Sequence, residues 1–130
     1  MSDTSDARGV VLAYVQSVQR SDWTAVCSTL DRDALAGEQS SVTKCARGFP
    51  SILNLGTKFL GILRDGQAAI LKMHVQLLGN HRANVFVLWH VTPWNRDVIQ
   101  RLPLCREYDR SQHGQYRVGS DVGWATRWPS

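Results

Sequence analysis

The sequence predicts an α+β fold, with N-terminal helices packed in the concave face of a curved, mostly antiparallel sheet that wraps around the long first helix. Three observations carry this reading. Residues 6–30 show the i, i+3, i+4, i+7 apolar spacing of helices with one buried face. After about Gly56 the pattern alternates as strands do. Residues 1–130 contain no linker, repeat or low-complexity stretch, so they read as a single domain, and 43% hydrophobic with 20% charged residues is a globular balance.

Taken in order, Ala7, Val10, Val11, Tyr14, Val15 and Val18 form the apolar stripe of the first helix. Ser21 or Asp22 then offers a side-chain oxygen to the free N–H groups of a second helix carrying Trp23, Val26, Cys27 and Leu30. Residues 31–55 are the least regular: 35–38 read as a loop or short helix, and 42–46 as a third helix ended by Gly48 and Pro50. Residues 58–63 read as a first strand, closed by the Asp65-Gly66 hairpin signal. Two long strands follow at 68–78 and 83–92, around residues 79–82. Residues 98–108 and 115–122 make the fourth and fifth, with Pro93-Trp94-Asn95 breaking the ladder before the fourth.

The long strands carry a face argument. If their loop has four residues, Leu78 pairs with Ala83. One face then holds Leu71, Met73, Val75 and Leu77 opposite His90, Leu88, Phe86 and Asn84, and this face is expected to meet the helices. The other carries Val85, Val87, Trp89 and Val91, an apolar patch suited to a two-fold homodimer through the outer sheet, with the Trp124 and Trp128 tail as a competing cover.

Several function classes fall away. The net charge of +4 is mostly arginine, dispersed among acidic residues, so there is no basic stripe for nucleic acid. No apolar run approaches the roughly 20 residues of a membrane span. His74, His81, His90 and His113 are scattered without acidic companions, and neither a Gly-rich phosphate loop nor a Gly-x-Ser-x-Gly elbow occurs, so no metal or cofactor is expected. The polar, acidic first six residues predict a cytoplasmic protein, although an exported domain lacking its signal reads the same. Cys27 and Cys45 are expected to lie close, bonded in an oxidising compartment and free thiols otherwise, while Cys105 reads as a packing residue.

Ala13-Tyr14, the apolar helix, and Asp22-Trp23-Thr24-Ala25-Val26 together resemble the opening of the nuclear transport factor two-like superfamily. Arg106-Glu107-Tyr108, a turn, and Gly114-Gln115-Tyr116-Arg117-Val118 look like its penultimate hairpin. The superfamily includes ketosteroid isomerases, limonene epoxide hydrolases, polyketide cyclases and non-catalytic domains. The resemblance implies a cystatin-like cone with a pocket between helix and sheet.

By that resemblance Tyr14, eight residues before Asp22, is the hydrogen-bond donor to a developing enolate, and Glu38, sixteen after Asp22, is the general base. The other reading of Tyr14 is a core tyrosine, and of Glu38 a solvated loop glutamate. The isomerases' third group, a protonated aspartate, falls by ungapped counting on Trp89; the register instead turns His90 inward as an acid/base candidate. No inward carboxylate occupies that strand, which departs from the isomerase pattern. Trp23, Phe59, Met73, Phe86 and Leu88 are the expected apolar lining of the pocket. Two functions follow from the resemblance: a pocket for an apolar carbonyl compound, with proton transfer, isomerisation or cyclisation as its chemistry, or a non-catalytic dimerising or protein-binding domain.

Overall fold

The computed structural model describes residues 3–35, 41–54, 58–108 and 114–130. Among the described residues, five helices precede the sheet: α1 (Asp3–Gln19), α2 (Trp23–Ser28), α3 (Arg32–Leu35), α4 (Val42–Asn54) and α5 (Lys58–Arg64). Five described strands follow: β1 (Ala68–Leu77), β2 (Arg82–Val91), β3 (Arg96–Tyr108), β4 (Gly114–Val118) and β5 (Gly123–Ala125). All named pairings are antiparallel, in the order β1-β2-β3-β4, and β5 pairs with β3 beyond the end of β4. This is the α+β architecture that the sequence predicts, with a curved, unclosed sheet.

The expected stripe of α1 is its buried face: Ala7, Val11, Tyr14, Val15 and Val18 all enter the core. The helix ends in a double turn, with Ser21 N–H on the Val18 carbonyl and Asp22 N–H on that of Ser17. Closing it places Ser21 at φ 55°, a left-handed conformation usually taken by glycine. Asp22, not Ser21, then caps α2 by accepting from Ala25 N–H at 3.2 Å. A disulfide joins Cys27 on α2 to Cys45 on α4, with Cα atoms 6.1 Å apart.

Two elements differ from the sequence reading. Residues 58–63 are helical, not a strand, because Phe59, Ile62 and Leu63 fall at the i, i+3, i+4 positions of one buried face. Asp65-Gly66 ends that helix instead of turning a hairpin: Gly66 takes φ 73°, and Gly66 and Gln67 N–H bond the Leu63 and Ile62 carbonyls. Helix α4 also runs on through Gly48 and Pro50 to Asn54. Pro50 removes one backbone donor, and the burial of Cys45 and Phe49 in the core offsets that loss.

The most consequential difference is one residue of register. Leu77, not Leu78, pairs with Ala83, and Leu78 N–H closes the loop on the Arg82 carbonyl at 2.8 Å, with Gly79 at φ 103°. A shift of one residue exchanges the two faces of a strand. Val85, Val87, Trp89 and Val91 therefore point at the helices and are fully buried within the single chain. The outer dimer face expected from these four residues does not exist. Phe86, Leu88 and His90 take the outward side and are half-buried. A bulge at Leu71, between Ile70 and Lys72, keeps Ile70 opposite Trp89 and Met73 opposite Val87, so both lie on the helix-facing side.

The outward side is partly covered by the chain itself. From Ala125, paired with Ile99 on β3, the tail crosses β2 and brings the Trp128 ring edge-on to His74 of β1, 6.2 Å between centroids. Three residues of extended chain span about the two inter-strand spacings that this crossing needs.

Candidate aromatic cleft

At one end of the concave face lies a cleft of about 500 Å³. Five parts of the chain build it. Helix α1 supplies Tyr14, and the first turn of α5 supplies Lys58, Phe59 and Leu60; the turn between β2 and β3 supplies Trp94, and β3 supplies Gln100. Val122, Gly123 and Trp124 close it from the last strand. Gln100 pairs directly with Val87 on one side and with Trp124 on the other, so all three side chains share the helix-facing side of the sheet.

The walls are aromatic. The Phe59 ring meets Trp124 edge-on at 5.0 Å and Trp89 at 5.4 Å, with Trp94 at 6.4 Å from Phe59 and 6.5 Å from Trp124. Such edge-to-face contacts suit the ring quadrupoles and fix the box geometry. Asn95 at φ 47° turns the chain just after Trp94, and the Arg96 guanidinium lies 5.3 Å over the Trp94 ring.

Polar groups are few. Trp89 Nε1–H donates to Gln100 Oε1 at 3.1 Å, with both residues buried. Tyr14 is 8% exposed, and no group among the described residues hydrogen-bonds its hydroxyl. Burial pushes the phenol up to about 12, so it stays protonated and serves as a donor throughout the neutral range. Lys58 is exposed at the mouth and forms no ion pair among the described residues.

Of the sequence candidates, Tyr14 and Phe59 come together here. The others do not. His90 faces away from the helices and its Nδ1 lies 2.7 Å from Asp97 Oδ1, its direct cross-strand partner, because the register turns Trp89 inward in its place. Phe86 and Leu88 follow His90 outward for the same reason. Met73 lies on the inward side yet packs only partly buried against the core, away from the cleft lining. Trp23 is half-buried and stacks flat on Phe49 at 5.2 Å, which makes it part of the α2–α4 contact. Glu38 lies outside the described residues. Trp94, Gln100, Trp124 and Lys58 were missed by the sequence reading. An irregular turn carries Trp94 and a short C-terminal strand Trp124, a strand misread in place of α5 hid Lys58, and Gln100 shares its side of the sheet with Val87, whose face the register reverses.

The remaining motif of the resemblance is structural. Arg106 and Tyr116 are cross-strand partners, and the guanidinium sits 4.1 Å over the Tyr116 ring while its two Nη atoms donate to the Gly114 carbonyl and the Asp3 carboxylate, at 3.0 and 2.7 Å. The group ties the start of α1 to the β3–β4 hairpin. No three-residue metal cluster occurs among the described residues, and no described helix is long and apolar enough to cross a membrane.

No protein-family model matches the chain, and no curated protein resembles it in sequence. Among solved structures it is similar to a protein of unknown function with a cystatin-like fold from Methylobium petroleophilum PM1. The likeness covers 98% of this chain and 80% of that one, at 14% identity and a TM-score of 0.48.

Proposed function

We propose that the protein binds a small, largely apolar carbonyl compound in the aromatic cleft, with the Tyr14 hydroxyl donating to the ligand oxygen. The observation that carries this reading is the Tyr14 phenol: buried, neutral and without a partner among the described residues, in the wall of a cleft large enough for a ring compound. It is the Tyr116 hydroxyl that is cut off from water without a partner; that of Tyr14 reaches the cleft, where a ligand oxygen takes the place of water. The sequence resemblance to the nuclear transport factor two-like superfamily supports the same role for Tyr14. No carboxylate or imidazole lines the cleft among the described residues, so binding is the primary activity, and proton transfer needs a base from outside that set.

Titration with 2-acetonaphthone, followed by the fluorescence of the cleft tryptophans, tests this. Saturable quenching is expected, with Tyr14→Phe weakening affinity about tenfold or more. Absence of saturable binding to the wild-type chain discards the reading.

One observation favours a second reading, a dimer. Leu71, Leu77 and Leu78 are 50%, 44% and 44% exposed along β1, an edge of the sheet. Sedimentation equilibrium at micromolar concentration decides it: the mass of one chain excludes the dimer. The Cys27–Cys45 bond favours an oxidising compartment over the cytoplasm that the N-terminal residues suggest.

A further inference from the structure

We propose that the ligand of the cleft is an aromatic carboxylate, its ring held among Phe59, Trp94 and Trp124 and its two oxygens bonded by Tyr14, Gln100 and Lys58. The inference rests on the cleft being a ligand site and adds the charge and shape of the ligand.

The polar groups of the cleft are all donors. An indole N–H can only donate, so the Gln100 atom that Trp89 Nε1 contacts at 3.1 Å is the amide oxygen. That bond fixes the orientation of the amide and leaves its Nε2 hydrogens as the free polar function of Gln100. Tyr14 keeps its proton, and its hydroxyl has no partner among the described residues. Lys58 brings three ammonium donors to the mouth. A carbonyl oxygen answers one or two of these. A carboxylate presents two oxygens and about four lone-pair sites, and it neutralises Lys58.

Charge points the same way. No Asp or Glu lines the cleft among the described residues, and Arg96 lies behind the Trp94 ring. A box of aromatic rings by itself also suits a quaternary ammonium ion. Here that cation is repelled by Lys58 and Arg96, and no carboxylate among the described residues lines the cleft to balance its charge. The rings touch one another edge-on, 5.0 to 6.5 Å between centroids, and so form one rigid aromatic wall; packing on it favours an aromatic body over a flexible chain, which loses more freedom on binding.

The test compares three probes of one shape by calorimetry on the full chain: 2-naphthoate, 2-acetonaphthone and trimethyl(2-naphthyl)ammonium. Naphthoate is expected to bind about tenfold tighter than the ketone, and the ammonium ion more weakly than either. Raising salt from about 50 to about 500 mM narrows the lead of naphthoate. Lys58→Gln, a change at an exposed position, removes most of that lead by weakening naphthoate far more than the ketone, and Lys44→Gln on α4 changes neither. Ketone binding equal to or tighter than naphthoate, preference for the ammonium ion, or a naphthoate lead that survives Lys58→Gln overturns the inference. In those cases ketone binding sensitive to Tyr14→Phe leaves the carbonyl reading standing. Silence from all three probes removes both.

Discussion

Trp89 and Gln100 hold each other across neighbouring strands, indole N–H to amide oxygen at 3.1 Å, on the buried side of the sheet. The bond lets a tryptophan with no measurable exposure satisfy its only polar atom inside the core. Gln100→Leu removes the acceptor and strands that N–H away from water. Urea unfolding followed by circular dichroism should show a loss of about 1–3 kcal/mol. An unchanged midpoint would mean that Trp89 finds another partner.

The Cys27–Cys45 bond closes a separation of 18 residues between α2 and α4. By the chain-entropy account, such a cross-link contributes about 3 kcal/mol. Cys27→Ser with Cys45→Ser, or reduction of the native chain, should lower the melting temperature accordingly. Without reductant, only Cys105 should alkylate in the folded protein. It should do so slowly, because burial, with Asp31 and Glu107 nearby, pushes its thiol up.

Ser21 sits at φ 55° to close the α1 double turn. A side chain in that conformation is strained relative to glycine. Ser21→Gly is expected to stabilise the protein by about 1 kcal/mol in thermal melts, since Asp22 supplies the α2 cap. Destabilisation by this change would show that the serine hydroxyl does more than occupy the turn.

Tyr14 gives a pH dependence of known sign. Its folded pKa lies near 12 against an ordinary 10.0, raised by burial. The unfolded chain therefore releases this proton first, and the stability held below pH 10 is lost as pH rises toward 12, at roughly 1.4 kcal/mol per pH unit. Other groups titrate in this range, so the measurement is a comparison. Tyr14→Phe should flatten the fall in unfolding free energy between pH 10 and 12. Parallel curves for the two proteins would contradict a buried, neutral phenol.

The α1 stripe and the long strands were legible because each is a sustained period that a single buried face enforces. The faces of β2 were not, since they hang on whether Leu77 or Leu78 pairs with Ala83, and a Gly-Asn-His-Arg loop does not fix that count. Val85, Val87, Trp89 and Val91 against Phe86, Leu88 and His90 offered two apolar faces of similar strength, and the tail covering the outer one removed the usual contrast with solvent. Helix α5 was missed because a short apolar run fits either period. Tyr14 was found through its spacing to Asp22 and Phe59 as an expected lining residue, whereas Trp124 is brought beside Gln100 by the β5 pairing, which a three-residue segment scarcely announces.

Trp124 and Trp128 lie four positions apart on opposite sides of one sheet, the first in the cleft and the second against His74. Strand β5, which carries Trp124, has three residues and pairs with β3 along one side. The wall that shuts the cleft thus belongs to a segment whose hydrogen bonds can fray while α1, β2 and β3 stay closed. For a ligand held as proposed, fraying of residues 123–125 adds a route of departure that global unfolding does not limit. Amide exchange at those positions should slow when the cleft is filled, and shortening the chain before Trp128 should quicken release from a site that Trp128 never touches.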